Sequence, residues 1–490
     1  MNKLLSNYLY NVIYQFLIIA LPLITIPYIS RVLNPEGIGI SSYSTSIIQV
    51  FSFFSLMGIQ LYGSRQVASK KHEGKEELSK EFWSIYLVQL VSSITITLIY
   101  LFFVVYSIDN YKTIFLIQTF ALIGTLLDIS WFFIGLEELK KVILRNTVIK
   151  ITSISLIFIF VKEPQDVTLY ILINVLANVL GQGIMWIQIQ KYISYILVVN
   201  KEIFVHLKQI FLLFLPLFFV QVYSIYNKVI LGAITTSTQV GFYDQAVKIV
   251  QVALTIVTSI GIVMLPRISS EYVKGNFENI KKYTHITLRF VLFTTVPMCV
   301  GLIAVSSKLI PWFLGPGYSK VVIIIIIISP IVIFIGCANV FAMQILIPTK
   351  QQGKYTISVA IAAIISIIIN FCLVSSYGSI ATAIALLIAE GVGAVVQALF
   401  VRSFIDFTSV FKYLYKYFFA SILMGVVVYG FGEIANTKGM LTSFLQVCLG
   451  IIIYFTLMIL IKDKFIKTII LKSSQLLKSI NLEVLKKSKK

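Results

Sequence analysis

Long apolar runs separated by short polar segments make up almost the whole chain, and they predict a bundle of membrane-spanning helices. Most runs have about the 20 residues that a helix needs to cross a bilayer at a rise of about 1.5 Å per residue. The runs lack the alternation of apolar and polar residues that is typical of transmembrane β-strands. We predict fourteen spans, at residues 8–30, 38–63, 82–107, 113–136, 142–161, 167–190, 209–233, 240–264, 286–306, 321–346, 355–375, 379–401, 413–432 and 439–461.

The composition supports a membrane protein along the whole length of the chain. The sequence is 58% hydrophobic and 12% charged, with a mean hydropathy of +0.94. Soluble domains average about 45–50% apolar and about 25% charged residues. The expected fold class is therefore an all-α polytopic membrane protein with about 14 transmembrane helices.

The basic residues are distributed unevenly between the two sides of the predicted bundle. The connections on the side of the N-terminus hold 30 lysines and arginines, and those on the opposite side hold 6. Because positive loops stay inside, we predict a cytoplasmic membrane location with both termini in the cytoplasm. The formal charge of +20 then faces anionic lipid, and nucleic acid is not an expected partner. The last segment, 462–490, places apolar residues at helical spacing between lysines, which predicts an amphipathic helix on the inner leaflet.

An internal duplication is visible in the order of short matching segments. Residues 36–40 match 238–242, and residues 176–181 match 388–393. Six spans per repeat is an even number, so the repeats share one orientation and an axis along the membrane normal. We expect a binding cavity between two six-helix lobes. The predicted division is an N-terminal lobe at 1–200, a C-terminal lobe at 201–405, helices 13 and 14 at 406–461, and the tail at 462–490.

Asp128 and Lys150 flank the connection between the fourth and fifth spans at equal distances from the predicted helix ends. Equal depth predicts an ion pair across this helical hairpin. Ionisable groups at membrane depth are candidate functional residues, but a pair that locks the hairpin is favoured here over direct contact with substrate.

Asp244 and Lys248 are four residues apart on the eighth span, in the order that favours an ion pair within a helix. Lys228, near the end of the seventh span, has no obvious partner. One acid beside two lysines leaves a spare positive charge, which suits a phosphate.

Three further charged residues fall within or at the ends of spans. Arg31 ends the first span, and it is either a snorkelling interfacial arginine or a phosphate ligand with bidentate geometry. Glu390 lies in the middle of the twelfth span, where a carboxylate either carries a proton or cation or bonds to a neighbouring helix. Arg289, near the inner boundary, is expected to snorkel.

Metal and disulfide chemistry find little support in the sequence. The four cysteines lie in or at the edge of apolar runs without a C-x-x-C spacing, and the three histidines do not cluster. We therefore expect no metal, no disulfide and no cofactor.

Several motifs resemble the polysaccharide transport family, the oligosaccharide repeat-unit flippases of the multidrug/oligosaccharidyl-lipid/polysaccharide exporter superfamily. The segments that carry this resemblance are spread over much of the chain. They lie at 27–39 (PYISRVLNPEGIG), 58–68 (GIQLYGSRQVA), 128–137 (DISWFFIGLE), 240–243 (VGFY), 265–267 (LPR) and 346–350 (LIPTK).

The resemblance implies two six-helix lobes in a V, alternating access, and an undecaprenyl-pyrophosphate-linked oligosaccharide as the substrate. Other expected partners are the lipid bilayer and the polysaccharide polymerase machinery. Arg31 matches a cavity arginine of related flippases, whereas Lys150, Lys228 and Lys248 are proposed as ligands by their chemistry. The implied energy source is a proton or sodium gradient or the membrane potential, with Asp244 and Glu390 as coupling candidates.

Three alternative functions remain open. A cation-coupled multidrug exporter of the same superfamily should have an acidic cavity, whereas this chain has as many intramembrane lysines as acids. The lipid II flippase branch fits the motifs less well. An enzyme, such as a polytopic glycosyltransferase or polysaccharide polymerase, should place acids or arginines in a long outer loop, and the outer loops here are short.

Overall fold

A computed structural model of the chain describes residues 3–196, 200–435, 439–463 and 465–466, and this part is built from helices without any strand. A 3₁₀ turn, Pro164–Asp166, precedes α7, and a π-helical turn, Ala342–Leu346, follows α12. The α-helices are α1 Lys3–Leu56, α2 Ile59–Lys70, α3 Lys75–Ser107, α4 Lys112–Leu127, α5 Ser130–Gly135, α6 Leu139–Phe160, α7 Val167–Ile189, α8 Asn200–Ile234, α9 Ser237–Val273, α10 Phe277–Phe313, α11 Ser319–Ile328, α12 Ile331–Phe341, α13 Gln352–Tyr377, α14 Ser379–Phe400, α15 Phe407–Ile434 and α16 Gly439–Leu460.

Twelve helical segments of the described chain are long and apolar enough to cross a membrane. The first of them, Ala20–Lys70, includes residues 20–30 of the first predicted span and the whole of the second. The seventh predicted span, 209–233, lies within α8, whose stretch Ile225–Ile234 is apolar. The prediction of an all-helical polytopic membrane protein is confirmed, and fourteen is an approximate count of its spans.

A break in α1 explains why two predicted spans form one long element. Asn34 has φ 58° and ψ 173°, which is not helical, and it precedes Pro35. Proline disfavours the α conformation of the residue before it and donates no backbone hydrogen bond. The chain therefore changes direction at Asn34 and resumes a helix at once.

The chain divides into two compact units by its internal contacts. The first comprises Met1–Val252, Phe313–Ile328 and Gln352–Val396, and the second comprises Ala253–Trp312, Ser329–Gln351 and Gln397–Lys490. The lobe boundaries expected from the sequence repeat stay a prediction. The predicted amphipathic helix at 462–490 lies almost entirely outside the described residues.

In the first unit, α1 and α9 cross at two glycines that the sequence repeat had matched to each other. A Cβ on Gly39 would lie 1.6 Å from the carbonyl oxygen of Ser237, and a Cβ on Gly241 would lie 2.1 Å from that of Pro35. Both distances are far below van der Waals contact. The two helices can therefore approach this closely only because neither position carries a side chain.

A second close contact joins two of the motifs that carry the family resemblance. α4 ends at Leu127, and the chain turns before α5 begins at Ser130. The buried Gln89 amide donates to the carbonyl oxygens of Thr125 (2.7 Å) and Asp128 (2.9 Å) at this break, and Trp131 Nε1 donates to its oxygen (2.9 Å). Trp131 packs on Gly63 of α2, where a Cβ would lie 2.5 Å from the indole ring. Gln89, held by the motif residue Trp131, therefore stabilises an interruption of the fourth span.

The second unit is held together by apolar packing with a few buried polar contacts. Tyr454 of α16 donates to the carbonyl oxygen of Phe293 in α10 (2.9 Å), and Gln446 donates to that of Val428 in α15 (2.9 Å). Such bonds satisfy polar groups that would otherwise be costly to bury in an apolar surrounding.

Candidate functional site

A polar cavity of about 550 Å³ lies inside the first unit, lined by parts of α1, α4, α7, α8 and α9. Ligand-binding cavities commonly measure about 300–1,000 Å³. The hydroxyl, amide and charged residues of its lining are Ser41, Ser42, Thr45, Ser46, Gln49, Ser52, Gln118, Thr125, Asp128, Tyr170, Asn174, Asn178, Gln182, Lys228, Asp244 and Lys248.

Two polar stripes at helical spacing form much of this lining. Asn174, Asn178 and Gln182 recur every fourth residue on α7, and Thr45 and Gln49 continue the same spacing on α1. Residues four apart lie on one face of an α-helix, so each stripe points in one direction. These residues are not ionisable, so the charge pattern did not predict them, although their spacing is visible in the sequence.

Lys228, Asp244 and Lys248 form one charge cluster at this cavity. The Lys228 Nζ lies 2.5 Å from Asp244 Oδ1, and the Lys248 Nζ lies 2.6 Å from Asp244 Oδ2. The Asp244 side chain is 1% exposed, whereas those of Lys228 and Lys248 are 23% and 42% exposed. The expectation that Lys228 lacks a partner was wrong, because α8 places it against the free oxygen of Asp244. Two ammonium groups share one carboxylate, which leaves a formal charge of +1.

Asp128 also lines the cavity, but the predicted ion pair with Lys150 is not formed. The Asp128 carboxylate accepts hydrogen bonds from Gln60 Nε2 (3.1 Å), from the Ser130 amide (2.9 Å) and from the Ser130 hydroxyl. The reason is the helix break after Leu127, which turns Asp128 towards the start of α5. The assumption of equal depth required a continuous helix through Asp128.

Arg145 lies near the start of the fifth predicted span and was not among the predicted site residues. It donates to the Ser130 hydroxyl (3.1 Å), and through Ser130 it is linked to Asp128. It also donates to Gln182 Oε1 (2.7 Å), which belongs to the cavity lining. Arg145 therefore takes the place that was predicted for Lys150 as the positive partner near Asp128.

The other three predicted site residues lie outside the cavity lining. Lys150 is exposed on α6, within electrostatic range of Lys248. Arg31 is exposed on α1, and its side chain covers Gly315. Glu390 is half-buried on α14, within electrostatic range of Tyr243 and Tyr355. The roles predicted for these residues stay predictions.

The lining is suited to a polar, anionic ligand. Hydroxyl and amide side chains can replace the hydrogen bonds that sugars and phosphates make with water, and the lysines add charge-assisted donors. Among the described residues, no group of three histidine, cysteine or acidic side chains comes together as a metal ion would require. The fold and the cavity thus define a polytopic helical membrane protein with a polar internal cavity.

The chain belongs to the polysaccharide biosynthesis protein family, whose model matches residues 4–271. A putative O-antigen transporter of Escherichia coli (strain K12) is 28% identical over 411 residues, which are 82% of this chain and 97% of that protein.

Two solved structures share the fold. The lipid II flippase MurJ in an inward closed conformation superposes with a TM-score of 0.76 at 18% identity, over 93% of this chain and 99% of that chain. An inward-facing multidrug resistance transporter of the MATE family superposes with a TM-score of 0.59 at 12% identity, over 78% of this chain and 97% of that chain. The resemblance to polysaccharide flippases of the multidrug/oligosaccharidyl-lipid/polysaccharide exporter superfamily is confirmed.

Proposed function

We propose that the protein moves an undecaprenyl-pyrophosphate-linked oligosaccharide repeat unit from the inner to the outer leaflet of the cytoplasmic membrane by alternating access. The observation that carries this proposal is the cluster of Lys228, Asp244 and Lys248 at the edge of a cavity lined by hydroxyl and amide groups. Its relative from Escherichia coli, named a putative O-antigen transporter, points to the same class of substrate.

The physical task of such a protein is to lower one barrier. Phosphates and sugars cross hydrocarbon poorly, because a polar group without a hydrogen-bond partner costs several kcal/mol to desolvate. The cavity supplies replacement partners for the head group, and the polyprenyl tail remains in the bilayer. Within the cluster, Lys248 has the more exposed side chain, so we assign it the first contact with the pyrophosphate.

Transport in proteoliposomes tests the proposal directly. A fluorescent undecaprenyl-pyrophosphoryl oligosaccharide would be followed between leaflets with an impermeant quencher, beside a cationic dye. We expect the protein to accelerate the lipid, and Lys248→Gln to slow it by about 10- to 100-fold, the worth of one charge-assisted hydrogen bond. Lys248→Arg, which keeps the charge, should retain most of the activity.

Lys308→Gln is the matched control, because Lys308 pairs with Glu433 (3.2 Å) in the second unit and does not line the cavity. It should leave transport unchanged. Movement of the dye without movement of the lipid would indicate a multidrug exporter and would refute the proposed substrate.

The coupling of transport to an ion gradient is a separate part of the proposal. Asp244 already contacts two ammonium groups, so it is poorly placed to take up a further cation. We assign coupling to Glu390 instead. Glu390→Gln should abolish the stimulation of transport by an imposed proton or sodium gradient while leaving movement down the lipid gradient intact.

We also propose which side of the membrane the termini occupy and that the protein does not alter its substrate chemically. Both termini are assigned to the cytoplasm by the positive-inside distribution of lysine and arginine. The protein is proposed to act as a transporter and not as an enzyme, and to deliver its product to a polysaccharide polymerase. A reconstituted system that contains only this protein and the lipid should therefore change the location of the lipid and not its mass.

A further inference from the structure

A second cavity, of about 900 Å³, lies in the second unit beside the start of α15. Its charged lining residues are Arg289 of α10, Lys412 and Lys416 of α15, and Lys462 and Asp463 after α16. Four basic side chains and one acidic side chain leave a formal charge of +3. The cavity is therefore suited to an anion, and it is separate from the lining described above.

Arg289 is fixed in place by contacts on several sides. Its Nη2 donates to both carboxylate oxygens of Asp463 (3.0 and 2.9 Å), and its Nε donates to the Tyr417 hydroxyl (3.1 Å). The guanidinium carbon lies 4.1 Å from the centre of the Tyr413 ring, a cation–π contact. The expectation that Arg289 merely snorkels was therefore wrong, and its neutralising partner is the buried Asp463.

Among the described residues, the three lysines that line this cavity lack the acidic partner that Arg289 has. Lys412, Lys416 and Lys462 are exposed and form no ion pair with any described residue. Lys412 and Lys416 are one helical turn apart, so they point to the same side of α15. Three ammonium groups that line one cavity repel one another at low ionic strength, and a bound anion relieves that repulsion.

The backbone at the start of α15 does not supply the anion site. The Asp406 carboxylate already accepts from the amides of Thr408 (3.1 Å) and Ser409 (3.4 Å), as an N-cap residue does. The Ser409 hydroxyl also donates to this carboxylate, and it is the largest cause that holds the pKa of Asp406 below its usual range. The two amide hydrogen bonds lower this pKa further. An anion in this cavity must therefore be bound by the lysines.

Exposed aromatic side chains on α15 continue from the lysines that line the cavity. Phe411 and Tyr415, which also line the cavity, are 65% and 72% exposed, and Phe418 and Phe419 follow on α15 with 52% exposed each. Tyrosine near a helix end, as at Tyr415, is typical of the membrane–water interface. A soluble anion would leave this surface uncovered, whereas a lipid would cover it with its acyl chains.

We propose that this cavity binds the phosphate head group of an anionic phospholipid, through Lys412, Lys416 and Lys462, with the acyl chains lying along the aromatic face of α15. The site does not depend on the transported substrate. The positive-inside distribution assigns it to the inner leaflet, whose anionic lipids attract basic residues.

Native mass spectrometry of the full-length protein in detergent tests this proposal. The protein would be titrated with phosphatidylglycerol, with phosphatidylcholine of the same acyl chains, and with inorganic pyrophosphate. We expect one phosphatidylglycerol to be retained more tightly than phosphatidylcholine. Lys412→Gln/Lys416→Gln should weaken its binding by about 25-fold, since one basic residue near a membrane surface contributes about fivefold.

The matched control is Lys281→Gln/Lys282→Gln, which removes two exposed lysines of the same unit that do not line the cavity. It should leave the retained lipid unchanged. An equal loss of phosphatidylglycerol binding in both double variants would overturn the proposal, because binding would then follow total charge. No loss in either double variant would also overturn it, because the lipid would then bind elsewhere. Pyrophosphate binding at this site without retained lipid would overturn it in favour of a soluble anion. The lysine variants leave Arg289 and Asp463 paired, so the unit should remain folded.

Discussion

Asp244 is almost fully buried, yet it contacts two ammonium groups that both reach the cavity. The Asp244 carboxylate therefore positions both lysines. The remaining N–H groups of the two ammonium groups stay available to a ligand. A carboxylate in this position organises positive charge without cancelling it. The spare charge that the sequence analysis expected is thus present, with an additional contact to Lys228.

Removal of the carboxylate should cost stability as well as transport. Asp244→Asn leaves two neighbouring lysines unpaired, and we expect a loss of about 2 kcal/mol. This is less than the 3–5 kcal/mol typical of fully buried pairs, since both ammonium groups reach the cavity. Thermal unfolding of the purified protein in detergent measures the loss.

The double variant Asp244→Asn/Lys228→Gln is the control for this prediction. It removes one lysine together with the acid, so it should recover most of the stability. If the double variant is no more stable than Asp244→Asn alone, the effect does not come from unpaired charge.

At the scale of single helices, the crossing of α1 and α9 depends on Gly39 and Gly241. An alanine Cβ would lie 1.6 Å from a backbone oxygen at position 39 and 2.1 Å from one at position 241. Overpacking of this kind costs about 1–3 kcal/mol or more, because backbone atoms cannot rotate away as side chains can. We expect Gly39→Ala and Gly241→Ala each to lower the unfolding midpoint and the rate of transport.

Gly183→Ala on α7 is the matched substitution, since a Cβ there meets nothing within 4 Å. It should change neither quantity. A Gly241→Ala protein as stable and active as wild type would mean that the two helices can separate at no cost.

The interruption of the fourth span shows where prediction from local sequence fails. Residues 113–136 are apolar enough to predict one helix, but α4 ends at Leu127 because Gln89 satisfies the backbone carbonyls that the break exposes. That stabilisation comes from a residue far away in sequence. The wrong pairing of Asp128 with Lys150 followed from the same missing information.

At the scale of the whole molecule, the apolar runs were sufficient to predict the all-helical membrane fold. The charge cluster was predictable only in part. Asp244 and Lys248 share one helix and could be paired from their spacing, whereas the Lys228 contact depends on how α8 packs beside α9. The polar stripes on α1 and α7 are visible in the sequence as a spacing of four residues, but they carry no charge that would mark them as functional.

The orientation in the membrane leads to a prediction that does not depend on transport. After the four native cysteines are replaced by serine, Gln165→Cys should react with an impermeant thiol reagent in intact cells, and Ser69→Cys should react only after lysis. Both positions are exposed at turns or helix ends on opposite predicted sides. The reverse pattern would place the termini outside and would invert the proposed direction of transport.

The polar lining has a consequence for how the protein is made. The helical segments Ala20–Lys70 and Ser237–Thr258 contribute Ser41 to Ser52 and the Asp244–Lys248 pair. The apolar 18-residue windows within these segments have mean hydropathies of 1.4 and 1.3, against 3.2 for the window within Ser319–Leu346. Segments of low hydropathy partition poorly into lipid when they leave the translocon alone. Both must therefore be retained beside their neighbours until their polar faces are enclosed, so biogenesis of this protein should be slow and cooperative at the very helices that form the cavity.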